Sequence, residues 1–199
     1  MLDGQLYIAG GASDTLFGSV ILSSAERYDT QTDAWRPIAP MSTRRCGLAL
    51  ASLEGALYAS GGYDDQKKCS QSVERYDPTS NAWVTIAPML VPRARHAMAV
   101  LNGRLYAIAG YGGTDRLSSV ECYNPKSDTW ETVAPISTKR DYCAAAVMDG
   151  VLHVVGGFNG KQRLSNVERF DAEADRWVAV TNMPQALDGL GAAQLQVEV

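Results

Sequence analysis

The sequence predicts an all-β fold in which four copies of a four-stranded unit are arranged radially as a β-propeller. Tryptophan recurs at nearly equal intervals of 48, 47 and 47 residues, at Trp35, Trp83, Trp130 and Trp177. Almost no segment has the 3.6-residue apolar periodicity of an amphipathic helix, and short apolar runs alternate with turn residues instead. A period of this length accommodates four short strands with their turns.

Each repeat carries the same landmarks around its tryptophan. An aromatic residue lies seven positions before it, at Tyr28, Tyr76, Tyr123 and Phe170. A glycine lies twenty positions after each of the first three, at Gly55, Gly103 and Gly150, and Gly4 occupies the same place at the start. Each glycine precedes an apolar run that ends in small residues, such as Leu57–Gly62. We therefore treat the chain as four repeats of one unit.

Four strands, A to D, are predicted within each repeat. Strand A is rich in Ala, Leu and Val (48–53, 97–101 and 144–148), and strand B is the Leu-Tyr run that follows the glycine. Strand C precedes the aromatic landmark, and strand D starts at the tryptophan. The A–B turns, such as Asn102-Gly103 and Asp149-Gly150, suit the positive φ angles of tight hairpins. The C–D turn 77–81 is rich in Asp, Pro, Ser and Asn, which is also turn chemistry.

The second repeat contains the most specific motif. It has the double glycine Gly61-Gly62, the segment Ser-Val-Glu-Arg-Tyr-Asp-Pro at 72–78, Trp83, Ile-Ala-Pro-Met at 86–89, and then Arg93. This pattern resembles the kelch repeat, in the form found in the C-terminal propeller of Kelch-like BTB–BACK–Kelch substrate adaptors. Three positions of the other repeats depart from it. Ala109 replaces the first glycine of the third repeat, and in the fourth repeat Asn182 and Leu187 replace the recurring proline and arginine.

The resemblance implies a single kelch-repeat propeller domain over residues 1–199. We place the repeats at about 1–47, 48–95, 96–142 and 143–189, with a closing strand at 190–199. Because the chain opens in strand B, we expect this closing strand to complete the first blade as its strand A. Kelch propellers of this family usually have six blades. A four-bladed chain must therefore form a small closed ring, or else open, distort or oligomerise.

Composition excludes several functional classes. The net charge is −4, which gives no reason to expect nucleic acid as partner, and no apolar run approaches the ~20 residues of a membrane helix. Cys46, Cys69, Cys122 and Cys143 have no zinc-ligand spacing, and four free thiols suggest the reducing cytoplasm. With two histidines in the chain, we expect neither a metal nor another cofactor.

Loop lengths indicate where a partner binds. The C–D interval and the interval through the D–A loop are constant, whereas the B–C interval varies from 13 to 17 residues. Recognition commonly lies on variable loops held by a rigid scaffold, although such a loop can also merely tolerate insertions. In an up-and-down blade the B–C and D–A loops emerge at the same end. Both carry a surplus of basic residues, which favours an acidic peptide.

Recurrence separates structural residues from candidate ligands. Arg45, Arg93 and Arg140 recur in register with Glu26, Glu74, Glu121 and Glu168, and we interpret them as buried ion pairs between blades. Including these glutamates nearly cancels the basic surplus. His153 fills a strand position that is tyrosine in the other repeats, which indicates core packing. The residues that do not repeat are the predicted peptide-binding set: Arg44, Arg95, His96, Lys139, Asp141 and Tyr142, with Tyr63, Tyr111 and Phe158 as aromatic walls.

Three functions remain open at this point. The first is a protein-interaction module that binds a short acidic or turn-forming segment. The resemblance implies substrate recognition for a cullin-RING ubiquitin ligase, although the BTB and BACK segments that recruit the ligase are not in this sequence. The second is an actin-binding kelch protein. The third is a kelch-fold enzyme, which is disfavoured because the histidines and acids needed for catalysis are few. We expect no catalytic residue.

Overall fold

The computed structural model describes residues 2, 4–15 and 18–193, with the Thr15 side chain excepted. This part of the chain contains strands and turns, and no helix long and apolar enough to cross a bilayer. The all-β prediction is confirmed.

The strands form one three-stranded sheet, three four-stranded sheets and one small hairpin. Blade 1 consists of β1 (Leu6–Ala9), β4 (Ala25–Asp29) and β5 (Ala34–Ile38), and its hairpin of β2 (Ala12–Thr15) and β3 (Gly18–Ile21). Blade 2 consists of β6 (Ala49–Leu53), β7 (Ala56–Ser60), β8 (Val73–Asp77) and β9 (Ala82–Ile86). Blade 3 consists of β10 (Ala97–Leu101), β11 (Arg104–Ile108), β12 (Val120–Asn124) and β13 (Thr129–Val133). Blade 4 consists of β14 (Ala144–Met148), β15 (Val151–Val155), β16 (Val167–Asp171) and β17 (Arg176–Val180).

Neighbouring strands within each sheet are antiparallel. In blades 2 to 4 they are also consecutive, so each of these blades is an up-and-down meander, whereas in blade 1 the β2–β3 hairpin lies between β1 and β4 in the chain. The A–B turns adopt the predicted conformation: Asn102 and Gly103 have φ angles of 51° and 70°, and Asp149 and Gly150 have 50° and 74°. Both central residues of a type I′ hairpin need positive φ, which Asn, Asp and Gly tolerate best. These turns therefore set the register of strands A and B.

Consecutive blades pack face to face through the recurring aromatics. Tyr58 of blade 2 contacts Tyr123 of blade 3, and Tyr106 of blade 3 contacts Phe170 of blade 4. Each tryptophan after the first donates its indole N–H to a carbonyl of the preceding blade, over 2.8 to 2.9 Å, in the pairs Trp83–Ala39, Trp130–Ala87 and Trp177–Ala134. Once-per-repeat aromatics thus form the junctions between blades.

Blade 1 differs from the sequence-based prediction in two ways. Its sheet has three strands in the described residues, because residues 190–193 form no strand and lie in no sheet. The rest of the closing strand predicted at 190–199, residues 194–199, lies outside the described residues. Completion of blade 1 by this strand therefore stays a prediction. The long first B–C connection, treated above as a loop, contains the β2–β3 hairpin.

Candidate functional site

The D–A loops of the four repeats are joined by a series of backbone hydrogen bonds. Arg95 donates its N–H to the carbonyl of Gly47 over 2.7 Å, Tyr142 donates to Arg95 over 2.9 Å, and Gly189 donates to Tyr142 over 3.0 Å. We call these four residues the loop ladder. Each lies just before the strand A position of the next unit, where β6, β10 and β14 pack side by side. The ladder therefore lies on the inner side of the array.

All four residues of the loop ladder have left-handed backbone conformations. Gly47 and Gly189 have φ angles of 64° and 65°, and Arg95 and Tyr142 have 55° and 54°. Glycine adopts this region freely, whereas for a residue with a Cβ the left-handed conformation costs about 1–2 kcal/mol of conformational free energy. The second and third repeats thus place a large side chain where the first and fourth have glycine. Such strain often marks a functional position.

Arg95 and Arg116 form the centre of a compact group of charged and aromatic side chains. The Arg95 guanidinium carbon lies 4.9 Å from the Tyr142 ring centre and 5.3 Å from that of Tyr63. The Arg116 guanidinium lies 4.7 Å from the Phe158 ring centre. These are cation–π distances. We call the group the arginine cluster, and with the carboxylate between the two arginines it comprises Tyr63, Arg95, Arg116, Asp141, Tyr142 and Phe158.

Asp141 forms ion pairs with both arginines of the cluster. Its side chain is fully buried, its Oδ1 accepts a hydrogen bond from Arg116 Nε over 2.7 Å, and its Oδ2 lies 3.7 Å from Arg95 Nη1. Oδ2 is buried and has no hydrogen-bond partner within the described structure. Because the carboxylate is inaccessible, Asp141 positions the arginines rather than contacting a partner.

The arginine cluster carries a net positive charge. Two guanidiniums with five N–H donors each exceed what one carboxylate can satisfy, and both side chains are partly exposed, at 32% for Arg95 and 24% for Arg116. Burial disfavours the charge on Arg95, but the Tyr63 hydrogen bond and nearby acidic groups outweigh burial and raise the pKa of Arg95. The cluster can therefore accept a further carboxylate.

A cavity of about 470 Å³ adjoins the arginine cluster through Tyr63. This volume falls in the range typical of small-ligand sites. We call it the side pocket, and its walls include Thr43, Arg44, Tyr63, Lys68, Ser70 and Pro92. Tyr63 also accepts a hydrogen bond from Cys46 Sγ over 3.3 Å, which fixes the ring between the pocket and Arg95. A bound segment could reach both features at once.

The structure separates Arg44 and Lys139 from the arginine cluster. Arg44 lies 3.6 Å from Asp65, and Lys139 donates to Asp115 over 2.6 Å, with all four side chains more than half exposed. Surface pairs of this kind contribute about 0–1 kcal/mol to stability. The two cations are thus locally neutralised and belong to the surroundings of the cluster.

His96, which follows Arg95 in the chain, is buried. Its Nε2 lies 2.7 Å from Ser60 Oγ, and burial, with a smaller contribution from the charge of Arg93, lowers its pKa to about 3. The ring therefore stays neutral at physiological pH and is shielded from a partner. The predicted binding role of His96 is accordingly not supported by its position.

Tyr111 lies apart from the cation–π contacts but helps to place Arg116. Its backbone forms isolated bridges with Ala94 and with Arg116, and its hydroxyl donates to the Gly113 carbonyl over 2.8 Å. Phe158 bridges Asp141 and Arg163 in the same way, and Tyr63 bridges Cys46 and Cys69. Each aromatic thus ties a D–A loop to its own B–C loop.

The recurring arginines occupy the junctions between blades. Arg45 lies 3.0 Å from Glu74, Arg93 2.8 Å from Glu121, and Arg140 2.8 Å from Glu168, and all six side chains are buried. The glutamates also accept backbone N–H groups of the preceding blade, such as Ser42 to Glu74 over 2.7 Å. Glu26 has no arginine within ion-pair distance among the described residues. The three buried pairs stabilise the fold and are inaccessible to a partner, whereas Glu26 is only half-buried.

Arg116 is a residue of the site that the candidate set above omits. A signal for it exists in the sequence, because the pair Arg116 and Asp141 recurs 47 residues later as Arg163 and Asp188. Both arginines donate from Nε to the aspartate over 2.7 Å.

His153 is half-buried in β15, with Nδ1 donating to the Val151 carbonyl over 2.9 Å. Within the described ranges, no three His, Cys, Asp or Glu side chains converge as metal ligands would.

Comparisons with known proteins agree with this architecture. Kelch-like protein 40 of Homo sapiens is 39% identical over 61 residues, which is 31% of this chain and 9% of the relative. Kelch-like protein 1 of Mus musculus is 46% identical over 48 residues, which is 24% of this chain and 6% of the relative. These matches therefore span about a tenth or less of each relative's own length.

Similarity to a solved structure supports the fold alone. The protein described as "Structure of YjhT" superposes with a TM-score of 0.86 at 15% identity, over 97% of this chain and 72% of the other. The model of the KLHDC2/KLHL20/DRC7 Kelch-repeats domain matches residues 1–194. Since this match covers nearly the whole sequence, the chain belongs to the KLHDC2/KLHL20/DRC7 Kelch-repeats domain family.

Proposed function

We propose that this kelch-repeat domain is a protein-interaction module that binds a short acidic segment at the arginine cluster. One observation carries the proposal. Arg95 adopts a left-handed backbone where two other repeats have glycine, and its partly exposed guanidinium lies between two tyrosine rings. Two repeats have glycine at this position, so the left-handed backbone does not depend on an arginine side chain. Its strained placement is consistent with selection for binding.

Recognition follows from the geometry of the cluster. A guanidinium grips a carboxylate through two parallel N–H donors, and the aromatic rings restrict each guanidinium to one orientation. Asp141, which contacts Arg116 at 2.7 Å, further limits their motion. Because these side chains are ordered before binding, little conformational entropy is lost when a peptide binds. The side pocket then offers a second contact for residues flanking the carboxylate.

The biological setting that we propose is substrate recognition for a cullin-RING ubiquitin ligase. It is supported by membership of the kelch-repeat family and by similarity to Kelch-like proteins. In this proposal the kelch repeats bind the substrate, and the ligase is recruited by BTB and BACK segments outside these repeats. Actin binding is the alternative that the first experiment should separate from peptide binding.

Selection of a proteome-derived peptide library on the purified domain tests the proposal. We expect peptides with carboxylate side chains to be enriched on the wild type and lost on Arg95→Ala and Arg116→Ala. Arg163→Ala is the matched control, because Arg163 makes the same Nε contact with Asp188 one repeat later. Circular dichroism and thermal unfolding should first show that all variants are folded.

The outcomes separate the alternatives. Acidic peptides that bind equally to wild type and to both cluster variants would refute the arginine cluster as the site. No enrichment, together with cosedimentation with actin filaments, would favour the cytoskeletal alternative. We further expect the double variant Arg95→Ala/Lys139→Ala to bind no more weakly than Arg95→Ala alone, since Lys139 is paired with Asp115.

A further inference from the structure

One position of the B–C loop is leucine in three repeats and serine in the second. Its four residues are Leu22, Ser70, Leu117 and Leu164. In each blade the backbone carbonyl at this position accepts an N–H from the D–A loop over 3.0 Å, from Arg45, Arg93, Arg140 and Leu187 in turn. Because this hydrogen bond is the same in all four blades, the residues occupy equivalent places, and the second repeat differs in its side chain.

The leucine at this position packs against the start of its own B–C loop. In blade 3, Leu117 Cδ2 lies 3.2 Å from the place of a Cβ added to Gly112, the second residue after the glycine that ends strand B. The corresponding residue of blade 2 is Asp64, which lines the side pocket. A leucine at position 70 would therefore extend into the side pocket.

The space that leucine occupies in other blades is open in blade 2. The side pocket, of about 470 Å³, is lined by Ser70 and reaches Gly61, Gly62 and Tyr63. In blade 4, Leu164 is 5% exposed and lies in the wall of a cavity at the same loops. That cavity is lined by residues 162–166 and 186, so it reaches neither the glycine pair nor the loop aromatic of its blade. Serine at position 70 thus opens the inner part of the side pocket.

The hydroxyl of Ser70 is not needed for the adjoining blade junction. It bonds the Ser72 hydroxyl over 2.8 Å and accepts the Ser72 N–H over 3.1 Å. Ser72 Oγ also accepts an N–H of the junction arginine over 2.7 Å. In blade 3 the equivalent Ser119 accepts its junction arginine over 2.9 Å, although Leu117 offers no hydroxyl. The junction therefore forms in the same way with leucine, and the serine has no structural role that leucine lacks.

The D–A loop of the second repeat departs from the others at the same pocket. Its residues 90–92 are Leu-Val-Pro, whereas residues 42–44 and 137–139 are Ser-Thr-Arg and Ser-Thr-Lys. These segments are equivalent, because the first N–H of each binds a junction glutamate. Pro92 lines the side pocket, and Leu90 is 53% exposed. Burial raises the pKa of the Cys69 thiol, which lines the pocket as a neutral side chain. Apolar groups thus replace two hydroxyls and a cation on this loop.

From these two departures in one blade we infer that the side pocket takes an aliphatic side chain of the segment whose carboxylate binds the arginine cluster. The bound segment then supplies the apolar group that a leucine supplies within each of the other repeats. This inference rests on the proposed function and adds an aliphatic residue to its acidic motif. Tyr63 lines the pocket and lies 5.3 Å from the Arg95 guanidinium, so the two bound residues must be close in sequence. An extended chain advances about 3.3–3.6 Å per residue, which gives an offset of about two to four residues.

Peptide selection on the wild type and on Ser70→Leu tests the inference. On the wild type we expect aliphatic residues to be enriched at a fixed offset from the carboxylate. On Ser70→Leu the carboxylate preference should remain and the aliphatic preference should disappear, because the new leucine occupies the pocket. A selected peptide should bind Ser70→Leu about tenfold to a hundredfold more weakly than it binds the wild type, the loss expected for one buried aliphatic side chain.

A double-mutant cycle makes this test specific to the pocket. The selected peptide with alanine in place of its aliphatic residue should bind the wild type more weakly by the same factor. It should bind Ser70→Leu as tightly as the parent peptide does, because the pocket is already closed in that variant. Losses that simply add would show that the aliphatic residue binds somewhere other than the side pocket.

Ser70→Ala is the matched control, because it removes the same hydroxyl without filling the pocket. We expect the aliphatic preference to become stronger in this variant, since the pocket loses a polar group. An equal loss of affinity in Ser70→Ala and Ser70→Leu would show that the hydroxyl itself binds the partner, which contradicts the inference.

Urea unfolding checks that position 70 is the place of a leucine. Ser70→Leu should unfold at a denaturant concentration equal to or above that of the wild type, because leucine fills this space in the other blades. A variant that unfolds at a clearly lower concentration would overturn the equivalence on which the inference depends.

The selection also separates this inference from the proposed function. Carboxylates enriched with no aliphatic preference, or with polar residues at the same offset, would refute the aliphatic pocket and leave the arginine cluster as the binding site. Aliphatic residues enriched without carboxylates would support the pocket and contradict the proposed function. No enrichment of any peptide would count against both.

Discussion

Replacing Arg93 by leucine should unfold this domain at markedly lower denaturant concentration. The buried guanidinium donates five hydrogen bonds: two to Glu121, one each to the carbonyls of Ala109 and Ser119, and one to the Ser119 hydroxyl. Leucine fills part of the volume but makes none of these bonds. The Glu121 charge would then remain buried with only backbone donors.

We expect Arg93→Leu to lower the free energy of unfolding by about 3–5 kcal/mol, the usual cost of breaking a buried ion pair. Equilibrium unfolding in urea, followed by tryptophan fluorescence, measures this change. The matched control is Arg104→Leu, because Arg104 pairs with Glu131 at 2.5 Å in an exposed position. That variant should lose about 0–1 kcal/mol. Equal losses in both variants would refute the assignment of Arg93 as a stabilising junction residue.

Three further predictions follow from buried or strained positions. Gly61→Ala should destabilise the fold by several kcal/mol more than Gly55→Ala, as measured by urea unfolding of both variants. The reason is that a Cβ at Gly61 would lie 2.1 Å from the Arg93 carbonyl oxygen, whereas a Cβ at Gly55 would meet open space. His96 has a pKa of about 3 in the folded protein and about 6.5 in the unfolded chain, so the unfolded chain binds the proton more tightly. The free energy of unfolding should therefore fall by about 2 kcal/mol from pH 7 to pH 5. Urea titrations at both pH values should show that His96→Leu removes this dependence. Tyr142→Gly should change stability by less than about 1 kcal/mol, because relief of left-handed strain offsets the lost ring contact, yet it should weaken acidic-peptide binding in a titration; a loss of stability without loss of binding would contradict a recognition role.

Much of the fold could be predicted from sequence because each repeat contains its own local signals. The Asn-Gly and Asp-Gly turns specify hairpins through backbone preference alone, and they adopt the expected positive φ angles. Tryptophans at a constant interval indicate a repeated packing position, and three of them meet the preceding blade in the same way. The β2–β3 hairpin escaped prediction because it has no counterpart in the other repeats.

The site was harder to predict, because its parts come from different repeats. The predicted set included Arg95, Asp141 and Tyr142, which do meet, but also His96, which burial removes from the surface. Residues of like charge in neighbouring loops could not be sorted without distances. Arg116 pairs with Asp141. Lys139 lies only two residues before Asp141 in the chain but pairs with Asp115 instead.

The sequence by itself determined the all-β repeat, its strand order and its turns, because these depend on interactions within about 50 residues. It also indicated which residues recur and hence belong to the blade junctions. Only the tertiary structure decided which non-repeating side chains converge, since the loop ladder joins residues 47, 95, 142 and 189 through backbone bonds between loops.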